Sequence, residues 1–189
     1  MRSIILTPDF VDTQACSALI TAFGKARPMR TENGFFDEMI VYLQAIEDSR
    51  IRQLMCATCD RILKILKEHY KIRELYADAL MLCQWPVGKE MPPHVDNQAT
   101  HYYSTPWRTH SAILYLNDVD QGGELCFTKF NLDVKPRRGL LVAFPSDARH
   151  EHGVRRLRNG RRYTMPCWFT DDAKRQMPAA ICQTTPKSR

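Results

Sequence analysis

No stretch of the 189-residue chain approaches the roughly 20 consecutive apolar residues that a membrane helix needs. The apolar run near the N-terminus, Ile4-Ile5-Leu6, is too short for the core of a secretory signal. No export signal and no membrane partner are expected. An even, tightly spaced set of cysteines is lacking too. The seven cysteines are scattered at Cys16, Cys56, Cys59, Cys83, Cys126, Cys167 and Cys182, whereas a secreted disulfide framework shows an even set at tight spacings. Reduced thiols and a cytoplasmic protein are therefore expected. Internal repeats are absent. With 44% apolar and 25% charged residues, the composition excludes low-complexity disorder for most of the chain. An acidic excess is missing as well: 27 Lys and Arg face 21 Asp and Glu, a net charge of +6. Such a surface is either solvated or meets an acidic partner.

A chain of this length makes one domain with a real hydrophobic core. The predicted class is α+β, mainly β. Residues 1–75 read as helical support. Thr13 is predicted to cap a helix from Gln14 to Lys25, with Ala15, Ala18, Leu19 and Ala22 on one face. Ser49 to Tyr70 carries Ile51, Leu54, Met55, Ile62, Leu63, Ile65 and Leu66 at helical spacing. Between them, Ile40-Val41-Tyr42-Leu43 suggests a strand. Residues 76–170 read as a β core, with strands near 77–84, 91–96, 110–117, 124–130, 139–144, 152–156 and 162–169. Many short strands punctuated by Gly and Pro argue a sandwich or barrel. The tail, 178–189, is polar and is expected to fray.

The densest chemistry is His94-Val95-Asp96. On a strand, residues i and i+2 share a face, so imidazole and carboxylate would converge. With a distant histidine they would complete a two-His-one-carboxylate site, which holds Fe(II) and leaves positions open. His150 and His152 are both candidates for the third ligand, although a histidine taken alone is usually structural. Arg162 lies ten positions beyond His152, enough for a turn and a return along a neighbouring strand. A guanidinium grips a carboxylate with two parallel hydrogen bonds, which suits the far end of a keto acid that chelates iron. Ser111, Ile113 and Tyr115 share one strand face. Cys56-x-x-Cys59 lies inside a helical pattern with no second pair and reads as two ordinary helix cysteines. The five arginines of 155–162 are expected to surround a turn in solvent, with Arg162 turned inward.

Further pieces follow in order around these residues. They are Trp85-Pro86-x-Gly88, His94-Val95-Asp96-Asn97, Ser111-Ala112-Ile113-Leu114-Tyr115-Leu116-Asn117 and Gly122-Gly123-Glu124-Leu125-x-Phe127. Then come Pro136-x-x-Gly139, Phe144-Pro145-Ser146, His152-Gly153-Val154, Gly160-x-Arg162-Tyr163 and Trp168-Phe169-Thr170. Together they resemble the Fe(II)/2-oxoglutarate dioxygenases of the prolyl hydroxylase superfamily over about residues 80–170. The 111–117 and 168–170 blocks are most similar to the prolyl 3-hydroxylase (leprecan) branch.

The resemblance implies a double-stranded β-helix, or jelly roll, with the helices packed on one sheet. It implies His94, Asp96 and His152 on Fe(II), and Arg162, assisted by Tyr115, on the distal carboxylate of 2-oxoglutarate. O2 is the second implied co-substrate and ascorbate the implied reductant. Trp85 stands where relatives often carry Tyr; an indole donates but does not accept, so Trp85 and Ile113 would wall the co-substrate pocket.

The implied reaction hydroxylates a C–H bond, of a prolyl residue in a peptide or protein, and releases succinate and CO2. A free amino acid or another small metabolite is the alternative substrate. A non-catalytic binding module is disfavoured because all the ligand positions and the arginine are present. A nucleic-acid demethylase, and hence a nucleic-acid partner, is disfavoured by the spacing of Arg162 after His152. Asn97 and the aromatic 97–110 connection, with Tyr102, Tyr103 and Trp107, are expected to form a lid that receives a proline ring.

Overall fold

The computed structural model describes residues 3–28, 30, 34–98 and 105–182. The chain runs β1 (Ile5–Thr7), α1 (Thr13–Lys25), β2 (Ile40–Tyr42), α2 (Ser49–Tyr70), β3 (Tyr76–Trp85), β4 (Met91–His94) and β5 (Arg108–Tyr115). It continues with β6 (Leu125–Phe127), β7 (Leu132–Val134), β8 (Leu141–Pro145), β9 (His152–Val154) and β10 (Arg162–Thr170). The larger sheet has the order β1-β8-β5-β10-β3-β2 and the smaller β4-β9-β6-β7, with every pairing antiparallel. This is the expected double-stranded β-helix.

Period-two alternation gives the larger sheet two different faces. On one, Leu80, Leu82, Ala112, Leu114, Leu141, Ala143, Met165, Cys167 and Phe169 form a core with Leu19 and Phe23 of α1 and Met55, Ile62 and Leu66 of α2. On the other, Tyr115, Val142 and Phe144 meet Leu125, Phe127 and Val134 of the smaller sheet. The helices thus brace one face and leave the other to form the cleft. Helix α2 has the predicted limits. Helix α1 starts one residue earlier than predicted, because Asp12 rather than Thr13 accepts the Ala15 N–H, at 2.7 Å.

Several elements depart from expectation. The run Ile5-Leu6-Thr7 is an edge strand on β8. The predicted 124–130 strand breaks after Phe127 into a 3-10 turn, Thr128–Phe130. Asn131 then takes a left-handed φ of 48°, and β7 folds back on β6. The predicted 91–96 strand stops at His94. Pro92 and Pro93 carry no N–H, and the β4–β9 register shifts between Met91 and His94.

The expectation of seven reduced thiols is also corrected. Cys56 and Cys182 form a disulfide, with Cα atoms 6.1 Å apart across 126 residues of sequence. Residues Ala179–Cys182, expected to fray, form a 3-10 turn packed near α2. The rest of the expected tail, 183–189, lies outside the described residues. Cys16, Cys59, Cys83, Cys126 and Cys167 are free and buried.

Alkylation of the unfolded, unreduced chain is expected to label the five free thiols, and all seven after reduction. Cys182→Ser is expected to lower stability to denaturant by about 2–4 kcal/mol, the usual worth of such a cross-link. Labelling of seven thiols without reductant would contradict the pairing.

Candidate metal and co-substrate site

His94 ends β4, and the β4–β9 register sets it directly opposite His152 at the start of β9. Their ring centroids are 4.5 Å apart. Strands β4 and β9 approach closely here: a Cβ on Gly153 would lie 2.6 Å from the Met91 carbonyl oxygen. Asp96 stands in the turn after β4, not on the strand. Its carboxylate nevertheless returns to the two rings. Oδ1 lies 3.7 Å from His94 Nε2 and Oδ2 3.6 Å from His152 Nε2.

The tautomers follow from the other ring nitrogens. His94 Nδ1 is 3.0 Å from the Pro92 carbonyl, and His152 Nδ1 is 3.0 Å from the His150 carbonyl. A carbonyl oxygen only accepts, so each Nδ1 carries the proton and each Nε2 presents its lone pair. Burial takes the His152 pKa down to about 4, against the pull of Asp96, so this imidazole is neutral at ordinary pH. Burial alone would raise the Asp96 pKa. His152, His94 and the Ser111 hydroxyl more than offset it, and the carboxyl titrates below its ordinary value.

Two serines fix the carboxylate. Ser111 Oγ donates to Asp96 Oδ2 at 2.5 Å and lies 2.7 Å from Ser146 Oγ. Thr105 Oγ1 donates to the Asp96 carbonyl at 2.8 Å. Phe144 and Phe127 back the His152 ring at 4.7 and 5.9 Å. The donor set is two imidazole nitrogens and one carboxylate oxygen, all within 4.8 Å of one another. That set fits Fe(II) held on one face. His150, the other candidate ligand, is turned away. Its Nδ1 bonds Asp147 Oδ1 at 2.6 Å, and its ring packs on Phe130.

The same cleft face leads from Ser111 through Ile113 to Tyr115, where Arg162 opens β10 opposite Trp85. Arg162 is 1% exposed, and its Nε and Nη2 have no hydrogen-bond partner among the described residues. The guanidinium lies 5.0 Å from the Tyr115 ring centroid and 5.9 Å from that of Trp85. A buried cation with open donors is costly unless an anion meets it. A carboxylate would satisfy both nitrogens, so the distal end of 2-oxoglutarate fits. Burial pushes the Tyr115 pKa up against the pull of Arg162, which leaves a neutral phenol able to donate. Burial likewise raises the Cys83 thiol to about 12, with Arg162, Trp85 and Thr164 pulling the other way. Phe35 and Phe36 pack edge-on to Trp85 at 6.3 and 6.4 Å.

The residues predicted to meet substrate are distributed differently. Asn97 is half-buried in the turn beside Asp96. Tyr103 lies outside the described residues, as does Tyr102. Trp107 donates its indole N–H to Asp78 Oδ1 at 3.0 Å, and Arg175 covers its ring at 4.0 Å. That ring face is therefore not open to a proline. Arg155 and Arg156, in the run expected to line solvent, pair with Asp133 and Glu90 at the surface. Sequence reasoning missed the supporting roles of Ser111 and Ser146. The shared face of Ser111, Ile113 and Tyr115 was a usable signal for the first; the second stood in the Phe144-Pro145-Ser146 piece with no role assigned to it.

Ser111→Ala is expected to weaken Fe(II) affinity about 10- to 100-fold, the usual cost of losing a group that orients a metal ligand. Titration calorimetry of the metal-free protein measures this. Unchanged affinity would contradict the orienting role.

Residues 80–170 match the sequence pattern of the 2OG-Fe(II) oxygenase superfamily. Over 95 residues the chain is 34% identical to human prolyl 3-hydroxylase 2, covering 43% of this chain and 13% of that protein. Over 69 residues it is 45% identical to human prolyl 3-hydroxylase 3, covering 34% of this chain and 9% of that one. The chain thus spans only a small part of these relatives. Among solved structures, it superimposes on the viral collagen prolyl hydroxylase of Paramecium Bursaria Chlorella virus-1, in complex with 2OG. The TM-score is 0.71, at 15% identity, over 90% of this chain and 96% of that one. A Trichoplax adhaerens prolyl hydroxylase, in complex with a hypoxia inducible factor peptide fragment, gives a TM-score of 0.71. There the identity is 16%, over 93% of this chain and 86% of that one. These distant structures share the fold, while the motif-bearing segment carries the sequence likeness. Residues 80–170 thus resemble the 2OG-Fe(II) oxygenase superfamily in sequence, and the chain shares its fold with solved prolyl hydroxylases.

Proposed function

We propose that the protein is an Fe(II)- and 2-oxoglutarate-dependent oxygenase that hydroxylates a prolyl residue of a peptide or protein. The observation that carries this is Arg162, a buried guanidinium with two open donors on the cleft face that begins at His94, Asp96 and His152. The likeness to prolyl 3-hydroxylases supports the choice of proline. Iron and 2-oxoglutarate bound there would supply O2 activation, yielding succinate and CO2 as the substrate gains a hydroxyl.

The chain's own residues do the rest. His94, Asp96 and His152 hold the metal on one face, and Ser111 keeps the carboxylate aimed. Arg162 and the Tyr115 hydroxyl fix the far carboxylate of the co-substrate and so its orientation at the metal. Trp85 and Phe144, both buried, exclude water. Ascorbate as the reductant of idle turnover belongs to the same proposal. At the metal level the cleft is open: Ile113, Pro166 and Trp168 are part-exposed, while Met165, Cys167 and Phe169 on the opposite face are buried. An open groove suits an extended, proline-bearing chain, which loses little freedom on docking.

Mass spectrometry of proline-containing peptides, incubated with the enzyme, iron and 2-oxoglutarate, is expected to show one added oxygen on proline. Hydroxylation of free amino acids and of no peptide would overturn the peptide reading. Arg162→Ala is expected to raise the KM for 2-oxoglutarate by about 2–5 kcal/mol of lost binding. Arg162→Lys should recover part, since it keeps the charge but not the fork. An unchanged response to 2-oxoglutarate would remove Arg162 from the site.

A further inference from the structure

Beside the metal end of the cleft, a carboxylate orders four side chains from three separate parts of the chain. Asp78, near the start of β3, has a side chain only 11% exposed. Its Oδ1 accepts the Trp107 indole N–H at 3.0 Å, and its Oδ2 accepts Arg108 Nε at 2.9 Å. Each partner is stacked in turn. The Arg108 guanidinium lies 4.2 Å from the Trp168 ring centroid, and the Arg175 guanidinium lies 4.0 Å from that of Trp107. The sequence of contacts is Arg175, Trp107, Asp78, Arg108, Trp168. It alternates cations with rings about a central anion, and each contact is favourable electrostatically.

The inner end of this series reaches the reaction site. Trp168 lies across from Ser111 in the β10–β5 register, and Ser111 holds Asp96. The outer end is fixed to the C-terminal segment. Arg175 closes the 3-10 turn Ala173–Arg175. Two residues on, the Met177 N–H bonds the carbonyl of Ala77, next to Asp78, at 2.7 Å. Five residues further, Cys182 is joined to Cys56 of α2. Asp78, Arg175, Cys182 and Cys56 all lie outside the 80–170 stretch that matches the family pattern.

We propose that Asp78 is a positioning residue for the substrate-side wall of the cleft, and that Arg175, held through the Cys56–Cys182 staple, is its outer anchor. The proposal rests on the oxygenase reading above. Asp78 acts through Trp107 and Arg108 and touches neither metal nor co-substrate. It sets where the wall stands when a substrate arrives. Its loss therefore alters substrate recognition and leaves the co-substrate end, built on Arg162 and Tyr115, as it was.

The test compares the full-length protein with Asp78→Asn, Arg175→Ala and Cys182→Ser. Two quantities are measured: KM for whichever substrate the wild type hydroxylates, and 2-oxoglutarate turnover without that substrate. Asp78→Asn keeps the shape of the side chain and is expected to raise substrate KM about tenfold, the scale of one displaced, charge-assisted contact. The KM for 2-oxoglutarate and the substrate-free turnover should stay at the wild-type values. Arg175 is exposed, so Arg175→Ala is expected to fold normally and to raise substrate KM in the same direction by less. Cys182→Ser should follow Arg175→Ala. Unchanged substrate KM in Asp78→Asn and Arg175→Ala would overturn the proposal. So would a parallel loss of substrate-free turnover, which marks a merely structural role. A wild type that accepts only a free amino acid would refute the peptide reading alone, and the wall would then be judged on that substrate's KM.

Discussion

Asp96 is 4% exposed, and a carboxylate so far from water must be met by donors or by positive charge. The region around it answers that demand. The β4–β9 register brings two imidazoles opposite each other, and β5 supplies the Ser111 hydroxyl. The Nε2 atoms of both imidazoles face the carboxylate oxygens at 3.7 and 3.6 Å. A divalent metal meets all three groups at once. The apolar backing from Phe127 and Phe144 keeps water from competing and holds the His152 ring in place.

Arg162 poses the opposite problem at the other end of the same cleft. It is a cation in the interior with donors left open, pressed between Tyr115 and Trp85. Ser111, which holds Asp96, and Arg162 stand on the same cleft face of adjacent strands β5 and β10, and a dicarboxylate that also chelates metal would reach from one end to the other. The helices take no direct part. They make the larger sheet rigid from behind, which keeps the spacing between the two ends constant.

What the sequence revealed depended on whether the physics was local. Helix α2 was legible because 22 residues hold a 3.6-residue period. The three-residue strands β1 and β7 have no period to detect. The pairing of His94 with Asp96 was anticipated, but by the wrong geometry: proline at 92 and 93 weakens the ladder, and Asp96 reaches the rings from a turn. The choice of His152 over His150 came from likeness to a family. The structure gives its physical basis, since His150 spends its ring on Asp147 and its carbonyl on His152. Contacts between distant positions stayed hidden. Cys56 with Cys182, and Asp78 with Trp107, are meetings of residues far apart in the chain, and no spacing rule announces them.

The central claim is that one site, made by His94, Asp96 and His152, binds iron together with 2-oxoglutarate. Anaerobic titration of the protein with Fe(II) and 2-oxoglutarate, followed by visible absorption, tests it most directly. A keto acid chelated to ferrous iron gives a charge-transfer band that neither component gives alone. The account predicts that band in the wild type and in His150→Ala, and its loss in His152→Ala. A band that survives in His152→Ala and vanishes in His150→Ala would contradict it.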